Sequence, residues 1–198
     1  MRLTHDATEA SCGNGAHAEF LLMTIIVRDS HPSDLPALAA IYAHAVRTGT
    51  ASFELEPPDL AEFTRRHDAI RAAGFPYLVA APQDGTPIGY AYVSTYRPRP
   101  AYRFTVENSV YVAPGQQGRG VGSALLPVLI ERCEVAGTRI IIAVIGDTAN
   151  RPSIALHARH GFTHAGTLPG VGWKHETWLD TVLMVRPLGP GTTVPPGA

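Results

Sequence analysis

The chain has 198 residues, 45% hydrophobic and 17% charged, which suits one packed domain and excludes wholesale disorder. Its 16 basic and 17 acidic residues nearly cancel, which argues against a nucleic-acid or membrane-surface binder, since both need a basic field. No apolar run approaches the roughly 20 residues of a membrane helix. The only two cysteines, Cys12 and Cys133, exclude a disulfide scaffold and point to the cytoplasm; no Cys/His cluster has zinc spacing, so no metal is expected.

Residues 1–22 show no periodicity and read as a disordered N-terminal extension, with Met23 as the expected natural start of the domain. A short strand is predicted over Ile25–Arg28, then a helix N-capped by Ser33 with apolar positions Leu35, Leu38, Ile41, Tyr42 and Val46. A second helix is predicted from Asp59 to Ala73. Tyr77–Ala81 and Ile88–Thr95 form a hairpin turning at Asp84-Gly85, and Phe104–Val112 is a further strand. A helix over Gly120–Ala136, an apolar strand over Arg139–Ile145 and a helix over Arg151–His160 follow. Strands near Phe162–Leu168 and Thr177–Val185 close a domain spanning 23–187, and the Pro- and Gly-rich residues 188–198 read as a flexible tail. This order implies a mostly antiparallel sheet with helices on its faces.

The most informative stretch is Val110-Tyr111-Val112-Ala113-Pro114-Gly115-Gln116-Gln117-Gly118-Arg119-Gly120-Val121-Gly122-Ser123. A strand runs into a glycine-rich turn and then directly into a helix. Backbone N–H groups converge there without Cβ interference, and the helix adds its positive end, a suitable cradle for a pyrophosphate. The spacing is neither a dinucleotide fingerprint nor a P-loop. Three glycines alone also fit a plain connector.

Gln117-x-x-Gly120-x-Gly122 after a Val-Tyr-Val strand resembles the coenzyme A loop of the GNAT superfamily of N-acetyltransferases. Asn150-x-x-Ser153-x-x-x-His157-x-x-x-Gly161-Phe162 follows as a second signature of that superfamily. Phe53-Glu54, the run Tyr102–Val112, Ala143–Gly146, Gly172–His175 and Trp178-Leu179-Asp180 are similar to the phosphinothricin and methionine sulfoximine N-acetyltransferases. The resemblance covers Ile25 to Pro187. It implies an α/β (α+β) GNAT fold whose mixed, mostly antiparallel sheet splays at the cofactor site, with helices on both faces. It also implies acetyl-CoA as co-substrate, a small amino-acid-like amine as acceptor, and a homodimer. A protein N-terminus or another small amine as acceptor, or a non-catalytic acyl-CoA-binding module, are the rival readings.

Acetyl transfer to an amine needs a base, a hydrogen-bond donor for the thioester carbonyl, close placement and a stabilised leaving thiolate. Glu107 is the candidate base, because a carboxylate inside an apolar strand needs a reason; the alternative is an exposed strand-edge carboxylate. Alternation places it on the face of Ser109 and Tyr111 unless a bulge intervenes. His157 is the second catalytic candidate, to be set against a helix residue that only packs on the sheet.

The cofactor set is Val110, Tyr111, Val112, Gln117, Gly118, Arg119, Gly120, Val121, Gly122, Ser123, Asn150 and Ser153. The Val112 N–H or its neighbour is the expected carbonyl donor, and Asn150 and Ser153 also fit a helix cap. For the acceptor, Arg97, Arg99, Pro100, Ala101, Tyr102 and Arg103 form an extended basic loop suited to a carboxylate, or merely solvated. Phe53 and Lys174 are carried over from the resemblance as a pocket wall and a positive charge. Pro127 should disturb the helix after the glycine loop, and Cys133 reads as a buried thiol.

Overall fold

A computed structural model describes residues 24–83 and 85–196; the extension expected over 1–22, Met23 and Asp84 of the expected turn lie outside the described residues. The elements in order are β1 (Ile26–Asp29), α1 (Leu35–Thr48), α2 (Leu60–Ala72), β2 (Tyr77–Ala81), β3 (Gly89–Thr95), β4 (Thr105–Val112), α3 (Val121–Val135), β5 (Ile140–Gly146), α4 (Arg151–Arg159), β6 (Thr163–Lys174) and β7 (Thr177–Pro187). They build one seven-stranded sheet in the order β1-β2-β3-β4-β5-β7-β6. Among the described residues only the β4–β5 pair is parallel, in keeping with the expected mixed, mostly antiparallel sheet.

Helices cover both faces because the strands alternate apolar side chains to both sides. Leu78, Ala91, Val93, Val106, Ile141 and Met184 meet Leu125, Leu126 and Leu129 of α3. On the other face Tyr77, Val79, Tyr90 and Tyr111 meet Leu38, Tyr42 and Val46 of α1 and Phe63 of α2. A run of aromatic rings lies there: Tyr77, Tyr90 and Tyr92 are stacked within 9° of parallel, and Tyr111 meets Tyr42 edge-on.

Two local expectations change and one holds. Ser33 is not the N-cap of α1: it sits inside a 3-10 turn, Pro32–Asp34, whose cap is His31, and Asp34 leads into α1. Asp34 is fixed by a bidentate ion pair with Arg28, at 2.7 and 2.8 Å, which lowers the pKa of its carboxyl, and the Ser33 hydroxyl is engaged by His31 Nδ1 at 2.9 Å. Pro127 lies inside α3, which runs through it, and, lacking an N–H, it forgoes the bond to the Ser123 carbonyl, the disturbance expected of it. β6 runs on to Lys174, with register shifts between His164 and Gly166 and between Leu168 and Gly172. Beyond β7, Leu188 is buried in the core, and Arg139 donates to the Gly191 and Val194 carbonyls, each at 2.9 Å.

Candidate active site

β4 pairs with β3 from Thr95↔Val106 to Gly89↔Val112, with no register break. The bulge allowed for in this strand is therefore not needed on that side. With β5 it pairs only from Thr105↔Ile140 to Asn108↔Ala143, while β5 continues to Gly146 alongside β7. The sheet thus opens into a V whose vertex is Asn108. Its walls are Ser109–Val112 on one side and Val144–Gly146 on the other.

Backbone geometry decides what faces the V. The Val93 N–H bonds to Pro76 and the Ala113 N–H to Ile88, so odd-numbered β4 amides point to β3. The N–H groups of Val110 and Val112 consequently point into the V. The cleft is lined by Ala51, Asn108–Tyr111, Ala143–Gly146, Asn150, Ser153 and His157, and opens to solvent.

The glycine turn lies at the open end. Gly115, Gly118 and Gly120 have φ of 75°, 75° and 83°, the left-handed region that only glycine enters without strain, and an added Cβ at each would meet nothing within 4 Å. Gly120 is the N-cap of α3 with no side-chain cap bond, so the first amides of the helix stay free for an anion. Arg119 reaches Gln116 at 3.4 Å on this turn. Val121 and Gly122 differ in role from their loop neighbours. The Val121 side chain is core, and Gly122 admits Leu156, whose Cδ2 would lie 2.9 Å from an added Cβ. These two can serve a ligand only through their amides.

Glu107 stands on the face of Ser109 and Tyr111, as alternation predicts, opposite Ser94 and beside Ile142. Burial pushes its carboxyl above the usual value, with Arg97 opposing. A carboxylate held this way is a stronger base than one in water.

His157 faces the opposite side and is 3% exposed. Its Nδ1 lies 2.8 Å from the Ser153 carbonyl, which can only accept, so Nδ1 carries the proton. Its Nε2 is then an acceptor and takes an N–H from Asn108 at 2.9 Å. A ring that accepts at Nε2 is neutral, and burial, by lowering its pKa, acts in the same direction. Phe162 meets its ring edge-on at 5.0 Å. Asn150 caps α4, its Oδ1 accepting the Ser153 N–H at 3.3 Å, and both residues also line the cleft.

The expected acceptor residues divide. Arg97, Arg99, Pro100, Ala101 and Arg103 lie on an exposed loop around a short 3-10 turn. Arg97 stacks on Tyr96 and Arg103 on Phe104, while Tyr96 meets Tyr102 edge-on at 5.7 Å. Lys174 is no free cation: it is buried, and its Nζ donates to the Ser52 carbonyl at 2.6 Å. Phe53 lies against Gly146 and Gly172, whose added Cβ atoms would stand 2.9 and 2.3 Å from its ring. Lys174 thus fixes the loop that carries Phe53, with help from Tyr42 bonding Ser52 at 3.0 Å and Arg66 pairing with Glu54. Lys174→Met keeps the stem and removes the donor, leaving the Ser52 carbonyl unpaired; it should cost about 1–3 kcal/mol in urea unfolding.

Asn108 escaped the sequence reading. Its signal was present: alternation puts a carboxamide on the core side of β4, between Val106 and Val110. Tyr92 and Gly146 were also not singled out as site residues. Tyr92 lies opposite Ser109, within the electrostatic reach of Glu107.

Residues 38–162 match the acetyltransferase (GNAT) family model. The chain is 56% identical over 171 residues to a phosphinothricin N-acetyltransferase of Alcaligenes faecalis, covering 86% of this chain and 85% of that one. It is 41% identical to an L-methionine sulfoximine/L-methionine sulfone acetyltransferase of Pseudomonas paraeruginosa, over 87% of this chain and all of that one. The crystal structure of a phosphinothricin acetyltransferase from Sinorhizobium meliloti in complex with AcCoA superposes with a TM-score of 0.85 at 46% identity, over 88% of this chain and 94% of that one. With the splayed sheet and the glycine turn in place, these matches establish that the chain belongs to the GNAT acetyltransferase family.

Proposed function

We propose that the protein transfers an acetyl group from acetyl-CoA to the amino group of a small amino-acid-like acceptor of the phosphinothricin, methionine sulfoximine or methionine sulfone type. The observation that carries this reading is a half-buried Glu107, its pKa raised, beside the vertex of a V lined by free amides. The names of the relatives supply the acceptor class. The residues fit the donor: the left-handed glycines and open α3 N-terminus suit its pyrophosphate, and the Val110 and Val112 amides suit its amide-bearing arm.

Acetyl-CoA supplies a thioester as the electrophile. An α-ammonium has a pKa of about 8, so Glu107 need only remove its proton, directly or through water, to expose the lone pair. The nitrogen then bonds to the thioester carbon and the C–S bond breaks. The second nitrogen proton ends on the departing sulfur. Of the two free amides, that of Val110, the nearer to the vertex, meets the negative charge developing on the carbonyl oxygen, while that of Val112 lies along the arm. Arg97, Arg99 and Arg103 are the cations available to the acceptor carboxylate, with Phe53 as an apolar wall. His157, as a neutral acceptor bonded to Asn108, orients the site and is not required to give up a proton. In the homodimer of this reading, the exposed Trp173 and Trp178 of the β6–β7 hairpin offer an apolar face to a second copy.

The test is acetyl-CoA turnover against a panel of amino acids, phosphinothricin, methionine sulfoximine, methionine sulfone and short peptides with free N-termini. Turnover confined to the free amino acids and analogues is expected. Turnover of peptides alone moves the acceptor to a protein N-terminus, and donor binding without turnover of any amine makes the chain an acyl-CoA-binding module. A separate test addresses the glycine turn. Gly120→Val forces a β-branched residue to φ near 83° and puts methyls where a phosphate must approach. It should weaken coenzyme A binding by at least tenfold in calorimetry; unchanged affinity in a folded variant would remove the turn from the donor site.

A further inference from the structure

Asn108 is 5% exposed and sits at the vertex of the V, the last β4 residue paired with β5. Its amide orientation follows from its neighbour. The Ser153 carbonyl fixes the His157 proton on Nδ1, so the atom of Asn108 facing Nε2 must be the NH2 group. The other end of the carboxamide, Oδ1, is buried and has no hydrogen-bond partner among the described residues, and Asn108 is one of the residues lining the cleft. A buried carbonyl left so is costly and calls for a donor.

The donor's identity follows from which face and which depth Oδ1 occupies. Asn108 and Glu107 are successive strand residues, so their side chains stand on opposite faces. The acceptor amine must meet Glu107, so the N–H that meets Asn108 belongs to the other reactant. From Val112, next to the glycine turn, back to Asn108 is about 13 Å at the usual strand rise. An arm whose pyrophosphate sits on the turn therefore reaches the vertex with its thioester end. The hydroxyl of that arm lies near the pyrophosphate, so the N–H arriving at the vertex is the amide closest to sulfur.

Resting on the acetyl-CoA reading above, we infer that Asn108 is a donor-binding residue: its NH2 locks onto neutral His157, and its free Oδ1 accepts the pantetheine amide N–H nearest the sulfur. His157 thereby acts on the donor through Asn108, as a positioning residue. Rotation of the Asn108 amide would set its Oδ1 against the lone pair of Nε2, so His157 and the Ser153 carbonyl together keep the accepting end toward the cleft.

The experiment is calorimetry with coenzyme A and with an analogue in which that amide N–H is replaced by an ester oxygen, with no acceptor present. The parent protein should bind the ester analogue on the order of tenfold more weakly than coenzyme A. Asn108→Leu, close in volume and without polar atoms, should bind coenzyme A weakly and no longer discriminate between the two. If Asn108→Leu does not fold, Asn108→Ser, too short to reach the arm, replaces it in the same comparison. Discrimination of parental size in the folded variant would overturn the assignment. In the parent protein, ¹⁵N-histidine spectra at pH 7 should find His157 neutral with its proton on Nδ1; a proton on Nε2 would overturn the amide orientation. Failure of discrimination alone sinks only the role of Asn108, whereas a parent protein that binds no coenzyme A sinks the acetyl-CoA reading with it.

Discussion

Glu107→Gln should slow the acetyl-transfer step by about 10²–10⁴-fold, the usual loss when a general base is removed. The substitution keeps the shape of the side chain and removes its basic oxygen. Coenzyme A affinity should hardly move, because the glycine turn and the Val110 and Val112 amides are untouched. The acidic limb of the rate–pH profile should follow Glu107 and be displaced upward from that of an exposed carboxylate, since burial raises this group. In the variant that limb should disappear, leaving the ionisation of the acceptor amine. Pre-steady-state transfer across pH, with one good acceptor, measures both effects. Parental rate and pH profile in Glu107→Gln would make the residue structural.

The same burial makes a stability prediction of opposite sign. The unfolded chain ionises this carboxyl at about 4.3. The folded value is raised, so between the two the native state holds a proton that the unfolded state has lost. Stability therefore falls as pH rises through that window, and the cost of the buried carboxylate is fully present above it. Glutamine carries no such cost. The Tm of Glu107→Gln should exceed that of the parent at pH 8, with the gap closing as pH falls toward 4. A gain in stability together with a loss of rate is the signature of a group held for chemistry.

Gly146→Ala should be the most damaging single-methyl change near the cleft. Gly146 ends β5 on the wall of the V, and its ideal Cβ would lie 2.0 Å from the Thr50 carbonyl oxygen and 2.9 Å from the Phe53 ring. Backbone stands in the way, so either β5 or the loop between α1 and α2 must move. Overpacking of this kind costs about 1–3 kcal/mol. The displaced loop takes Phe53 with it, so the acceptor KM should rise by at least tenfold while coenzyme A affinity changes little. Gly172→Ala is the control: its Cβ meets only the Phe53 ring, which is half-exposed and can rotate away. It should raise the acceptor KM with a smaller loss of stability. Equal effects in the two variants would show that the loop backbone is not what Gly146 admits.

The sequence by itself determined the order and type of the strands and helices, the family and the glycine turn. Those features are local. Alternation in β4 placed Glu107 with Ser109 and Tyr111, and left-handed positions announced themselves as Gly118 and Gly120. Tertiary structure alone decided three others. The V exists because β4 parts from β5 beyond Asn108↔Ala143, a divergence between strands far apart in the chain. Lys174 reads as a free cation in sequence but is spent on the Ser52 carbonyl, because the β6–β7 hairpin folds over the loop after α1. His157 reads as an acid–base candidate, yet its protonation is set by the Ser153 carbonyl one helical turn earlier and by Asn108 on β4. Residue type and spacing fix which groups an element presents to each face. Which hydrogen-bond partner each buried group meets depends on elements brought together only by folding, and that partner decides whether the group is a base, a brace or a bound acceptor.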